Sequence, residues 1–168
     1  MNLISLDAVA ALTGIGRSTL WRKLADGALA KGEKDARGRA TVALTDVLGL
    51  IGEGTRVAFS DADLAVLLQA DAGDAQAQAD IGALLQVHGG REAALYWLQA
   101  AAEQGSAEAM QWLGTAHAAR GTEQDQQMAV MWIAKAAALG HPIARRQLDG
   151  LLQGAAVGPA DGGAQPAT

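Results

Sequence analysis

The chain has 168 residues, 50% of them hydrophobic, 4% aromatic and 18% charged, the balance of a globular protein and not of a disordered or membrane-spanning one. No run approaches the roughly 18 apolar residues of a spanning helix, and Met1-Asn2-Leu3-Ile4-Ser5 lacks the basic-then-apolar plan of a signal peptide, so the expected location is the cytoplasm, with no membrane partner. The lack of cysteine excludes disulfides, thiolate metal sites and a cysteine nucleophile, and His88, His117 and His141 stand far apart along the chain.

The net charge of −5 conceals an asymmetry. Residues 1–59 carry 8 basic and 6 acidic side chains, net +2, and residues 60–168 carry 5 basic and 12 acidic, net −7. Residues 17–39 alone hold 7 basic against 3 acidic, a local +4 in one short segment.

In chain order, Ser5 can cap a helix whose apolar positions Leu6, Val9 and Ala10 follow helical spacing, with Asp7 in its first turn and Gly14 as its stop. A second helix is predicted over 17–26, with Leu20 and Leu24 inward and Gly27 as a left-handed terminator. Two short helices joined by a glycine-containing turn are the pattern of a helix-turn-helix. The outward face of the second helix offers Arg17, Ser18, Thr19, Trp21 and Arg22, with Lys23 beside them, and these side chains suit phosphates and base edges. Trp21 can fill a groove against the first helix or lie over a DNA backbone. The polar, glycine-punctuated tip 31–39, with Lys34, Arg37 and Arg39, and the alternating segment 40–44 read as a β-hairpin wing. A third helix begins at Thr45-Asp46 and ends near Gly52.

The segments Ile4-Ser-Leu-Asp-Ala-Val-Ala-Ala-Leu-Thr-Gly14, Arg17-Ser-Thr-Leu-Trp-Arg22, Asp26-Gly27 and Leu44-Thr-Asp-Val-Leu48 resemble the winged helix-turn-helix of MerR-like regulators and phage excisionases. Gly16 stands where that family usually has a capping serine, and the long dimerising helix that follows the domain in MerR regulators is missing. The resemblance covers the first third of the chain and implies contact with double-stranded DNA.

Residues 51–60 break helical periodicity and read as a linker, and a new unit starts at Ser60. Beyond it the sequence repeats itself: Trp97-Leu-Gln-Ala-Ala-Ala-Glu-Gln-Gly105 matches Trp132-Ile-Ala-Lys-Ala-Ala-Ala-Leu-Gly140 at an offset of 35 residues, and Ala109 and Leu113 recur at Ala144 and Leu148. An earlier copy, Gly73, Ala77, Ile81 and Gly82, precedes Gly105, Ala109, Leu113 and Gly114 by 32. Each unit reads as two helices around a turn, with alanines where neighbours touch; one pair cannot bury its apolar face alone, so the pairs must stack. Helices over 61–72 and 144–153 can cap the ends, and the Gly-, Ala- and Pro-rich tail from Gln153 reads as disordered.

Ala109-Met-Gln-Trp-Leu-Gly114, Asp125 ahead of Met128-Ala129, and Met131-Trp-Ile-Ala-Lys-Ala-Ala137 before Gly140 resemble Sel-one-like repeats, relatives of the tetratricopeptide repeat. Members of that class are adaptors. The resemblance implies that Trp112 faces a concave groove in register with Asp80 and Gln147, where it can anchor a partner protein; the alternative is that it packs beneath the 120–125 loop. His117 stands where the class usually has an aromatic, which suits packing or an interhelical hydrogen bond, and His141 before Pro142 reads as a helix-start residue.

No serine elbow, Walker-type loop, paired metal-spaced histidines or acidic cluster is present, so no enzymatic activity, cofactor, metal or small-molecule substrate is expected. The expected fold is mainly α: a winged helix-turn-helix over 1–52, a linker over 53–60, an α-solenoid of about two and a half helix-pair repeats over 61–152, and a tail over 153–168. The expected function is that of a bacterial-type transcriptional regulator that binds double-stranded DNA and uses its repeats to hold a regulatory protein or a second copy of itself. An adaptor that makes no DNA contact is the alternative, and an excisionase-like architectural factor is a second one.

Overall fold

The computed structural model describes residues 2–156. It is mainly helical, with nine helices and one two-stranded antiparallel sheet among those residues. No described helix is long and apolar enough to cross a membrane.

Strand β1 (Leu3–Ser5) pairs with β2 (Thr41–Ala43), Ile4 standing opposite Val42. A strand of three residues is too short for alternation to reveal it, which is why β1 escapes a sequence reading. Ser5 also caps helix α1 (Leu6–Thr13), its hydroxyl accepting the Ala8 N–H at 3.1 Å, and Gly14 ends that helix in the left-handed region. Helix α2 (Arg17–Ala25) follows; Gly16 supplies no side-chain cap, and Leu20 is its buried anchor. The expected wing hairpin is reduced to one isolated bridge, Lys31 to Val42, on the edge of β2 that faces away from β1. The tip is instead a turn organised by Asp35, whose carboxylate accepts the N–H groups of Arg37 and Arg39 at 3.0 and 2.8 Å.

Helix α3 (Leu44–Thr55) runs past Gly52 into the segment expected to be linker. Burial of Ile51 and Thr55 holds the extra turn, and at Gly54 a Cβ would lie 2.5 Å from the Thr13 Cα, so α1 and α3 approach backbone to backbone there.

Helix α4 (Asp61–Ala72) opens on a capping box formed by Ser60 and Asp63. It is followed by α5 (Ala75–His88), α6 (Arg91–Glu103), α7 (Ala107–Ala118), α8 (Glu123–Ala138) and α9 (Pro142–Ala156), each packed on the one before. The repeat is physical as well as textual. Gly73, Gly105 and Gly140 all take positive φ, 105°, 93° and 91°. The residue after each, Asp74, Ser106 or His141, caps the next helix by accepting the N–H of Ala77, Ala109 or Ala144 at 2.7, 3.2 and 3.3 Å. Gly82 and Gly114 admit the facing helix: a Cβ at either would stand 2.5 Å from the Leu98 Cγ or the Ile133 Cγ1.

Helix α9 extends to Ala156, so positions 153–156 of the expected tail are helical; positions 157–168 lie outside the described residues. One buried cluster runs from Ile4 to Ala144 across both halves of the chain.

Candidate nucleic-acid interface

With Leu20 buried, α2 turns Arg17, Ser18, Trp21 and Arg22 outward, while Thr19 and Lys23 are half-buried at its flanks. Trp21 keeps 44% of its surface in solvent. Between this helix and the wing lies a groove of about 320 Å³ lined by Asp7, Arg17, Trp21, Lys34, Arg37 and Arg39 among others. Five of those six side chains are basic or aromatic, and the one acid, Asp7, lies 3.2 Å from Arg17. Such a groove can seat a phosphate backbone.

The two wing arginines have further partners. Arg39 donates through Nε to Asp35 at 2.7 Å, through Nη1 to the Asp71 carboxylate at 2.9 Å and through Nη2 to the Asp71 carbonyl at 2.7 Å. Arg37 Nη2 donates to the Ala72 carbonyl at 2.6 Å. Asp71 is itself buried and also accepts the Ser5 N–H and hydroxyl, both at 2.7 Å. Burial works to lower the Arg39 pKa, but the carboxylates of Asp71 and Asp35 more than reverse it and hold the guanidinium above its usual value. For Asp35 too burial is opposed, here by the Arg39 N–H and guanidinium, which hold the carboxyl below its usual range.

Asp7 and Arg17 also line a second, open hollow of about 610 Å³, to which Tyr96 of α6 contributes. Burial, then Asp7 and Asp71, push the Tyr96 hydroxyl above its ordinary value.

In the repeats, Asp80 is exposed and accepts from Gln76 at 2.9 Å. Trp112 is half-buried and packs against the core, and Gln147, also half-buried, accepts from Gln111 at 3.2 Å. Contacts from Gln76 to Glu108 and from Gln111 to Gln147 run between α5, α7 and α9, so the three helices share one face. His117 meets Asp125 at 2.9 Å, an interhelical contact between α7 and α8.

The residue that sequence reasoning missed is Asp71. Its signal was present: an aspartate in the last turn of a helix, two residues before a terminating glycine, opposes the helix dipole and calls for compensating donors. No family model matches the chain, and no match is found among curated proteins or solved structures.

Proposed function

We propose that this chain is a DNA-binding transcriptional regulator of the MerR-like and Sel-one-like type, in which α2 enters the major groove and the repeats receive a partner protein or a second copy. The observation that carries the reading is the exposed face of α2: Arg17, Ser18, Trp21 and Arg22 all face solvent, and Arg17 and Trp21 line a groove shared with Lys34. Phosphate neutralisation supplies most non-specific affinity, and removing one cation that pairs with a phosphate flattens the salt dependence by about 0.9 in log–log slope. A mobility-shift titration of the full chain on duplex DNA, with and without Arg22→Ala, tests it: the parent binds, and the variant binds less tightly with a flatter slope. Absence of binding by the parent at low salt refutes the reading.

One observation favours a pure adaptor as the second reading. Arg37 and Arg39, the two wing arginines expected to contact DNA, are bonded to the repeats.

A further inference from the structure

We propose that the C-terminal end of α4 stands in for a DNA phosphate and holds the wing closed, so that nucleic acid must displace it to reach Arg37 and Arg39. The inference rests on the DNA-binding reading above and adds its regulation.

The chemistry of the two occupants is the same. A phosphodiester offers anionic oxygens that take charge-assisted hydrogen bonds from arginine, and Asp71 offers a carboxylate and a carbonyl to the Arg39 guanidinium at 2.9 and 2.7 Å. The neighbouring Ala72 carbonyl takes Arg37 at 2.6 Å, and both carbonyls belong to the negative end of the helix. The same two arginines line the groove beside α2, so their guanidinium donors are free for a phosphate there only when α4 releases them. The grip is graded. Arg39 is half-buried and clasped by two carboxylates, whereas Arg37 is exposed and held by a neutral carbonyl. Arg37 is therefore the more easily freed of the two, although in the parent it stays on Ala72. Any event that shifts α4, including occupation of the repeats by a partner, then changes the number of cations available to DNA.

Gly73 allows this hydrogen bond to be broken without changing any charge. A Cβ there would overlap Arg37 Nη2, the far end of a long, flexible side chain, so a larger residue evicts the guanidinium from the Ala72 carbonyl. Asparagine is among the residues most often found at positive φ, and φ at this position is 105°. The full-length parent, Gly73→Asn and Gly73→Asn/Arg37→Ala are titrated with a random-sequence duplex between about 50 and about 200 mM salt, after circular dichroism shows equal helix content. Arg37→Lys replaces the asparagine variant if that one does not fold, since it keeps the charge and lacks the Nη2 that the Ala72 carbonyl holds. Gly73→Asn should bind more tightly at the low end and lose about 3.5-fold more affinity than the parent across the range, the mark of one added phosphate contact. The gain should vanish in the double variant. Equal binding by Gly73→Asn and the parent overturns the latch and leaves the DNA reading standing. Weaker binding by Gly73→Asn also overturns it, since the docked wing would then be the competent form. Failure of all three to bind sinks the DNA reading and the latch together.

Discussion

Replacing Asp71 by alanine removes the acceptor shared by Ser5 and Arg39 from a site that is only 8% exposed. Breaking a buried ion pair from one side costs about 3–5 kcal/mol because the remaining partner stays desolvated. Arg39 retains Asp35 at 2.7 Å and is 21% exposed, which puts the cost at the low end, about 3 kcal/mol. A chain of this size loses about 2–4 °C of melting temperature per kcal/mol, so the midpoint should fall by about 6–12 °C. Arg39→Ala leaves Asp71 with both Ser5 donors and should cost less. Adding it to Asp71→Ala should cost little more, with a coupling energy of about 2 kcal/mol, as for other charge-assisted hydrogen bonds. Urea denaturation of the four proteins measures the cycle. Coupling below about 0.5 kcal/mol, the ordinary error of additivity, would show that the wing and α4 are neighbours without being partners. A separate early transition of residues 1–55, unmoved by either substitution, would contradict the shared core.

Gly114→Ala should destabilise by about 1–2 kcal/mol in the same assay, since the overpacking of a methyl against Ile133 outweighs the helix propensity gained. The equivalent Gly82→Ala should behave alike. Asp125 is held below its ordinary 3.8 by the His117 hydrogen bond first and the Thr122 hydroxyl next. Its folded pKa thus lies beneath the unfolded one, and the stability it contributes is present above pH 3.8 and lost as pH falls through the lowered value. Melting curves recorded from pH 5 downward should therefore fall less steeply for Asp125→Asn than for the parent. Trp112→Ala should abolish partner capture or self-association while leaving DNA binding unchanged; loss of cooperative melting would make it a core residue instead.

Much of the architecture was legible because it rests on local chemistry. Ser5, Gly14, Gly27 and the glycines at 73, 105 and 140 each mark a boundary through capping or positive φ, and the structure uses them so. The misreadings are non-local. Strand β1 exists because Ala43 and Val42 lie across from Leu3 and Ile4, some 40 residues away. Helix α3 passes Gly52 because Ile51 and Thr55 are buried, and Gly54 lets its backbone approach Thr13, some 40 residues earlier in the chain. At the candidate site, the helical spacing of Leu20 correctly turned α2 outward, whereas nothing near Arg37 and Arg39 announces a partner 32 or 35 residues downstream. Only the misplaced charge of Asp71 hinted at it.

The equivalence of the cap and glycine positions along the repeats has a consequence for how such a chain can change length. Residues 107–141 begin just after one capping residue and end on the next, with Gly140 in the same backbone state as Gly105. A tandem duplication of those 35 residues would join like to like, giving the new helices a seat on a surface already shaped for them. The array can thus grow or shrink by whole units at its far end without disturbing the residues around Asp71.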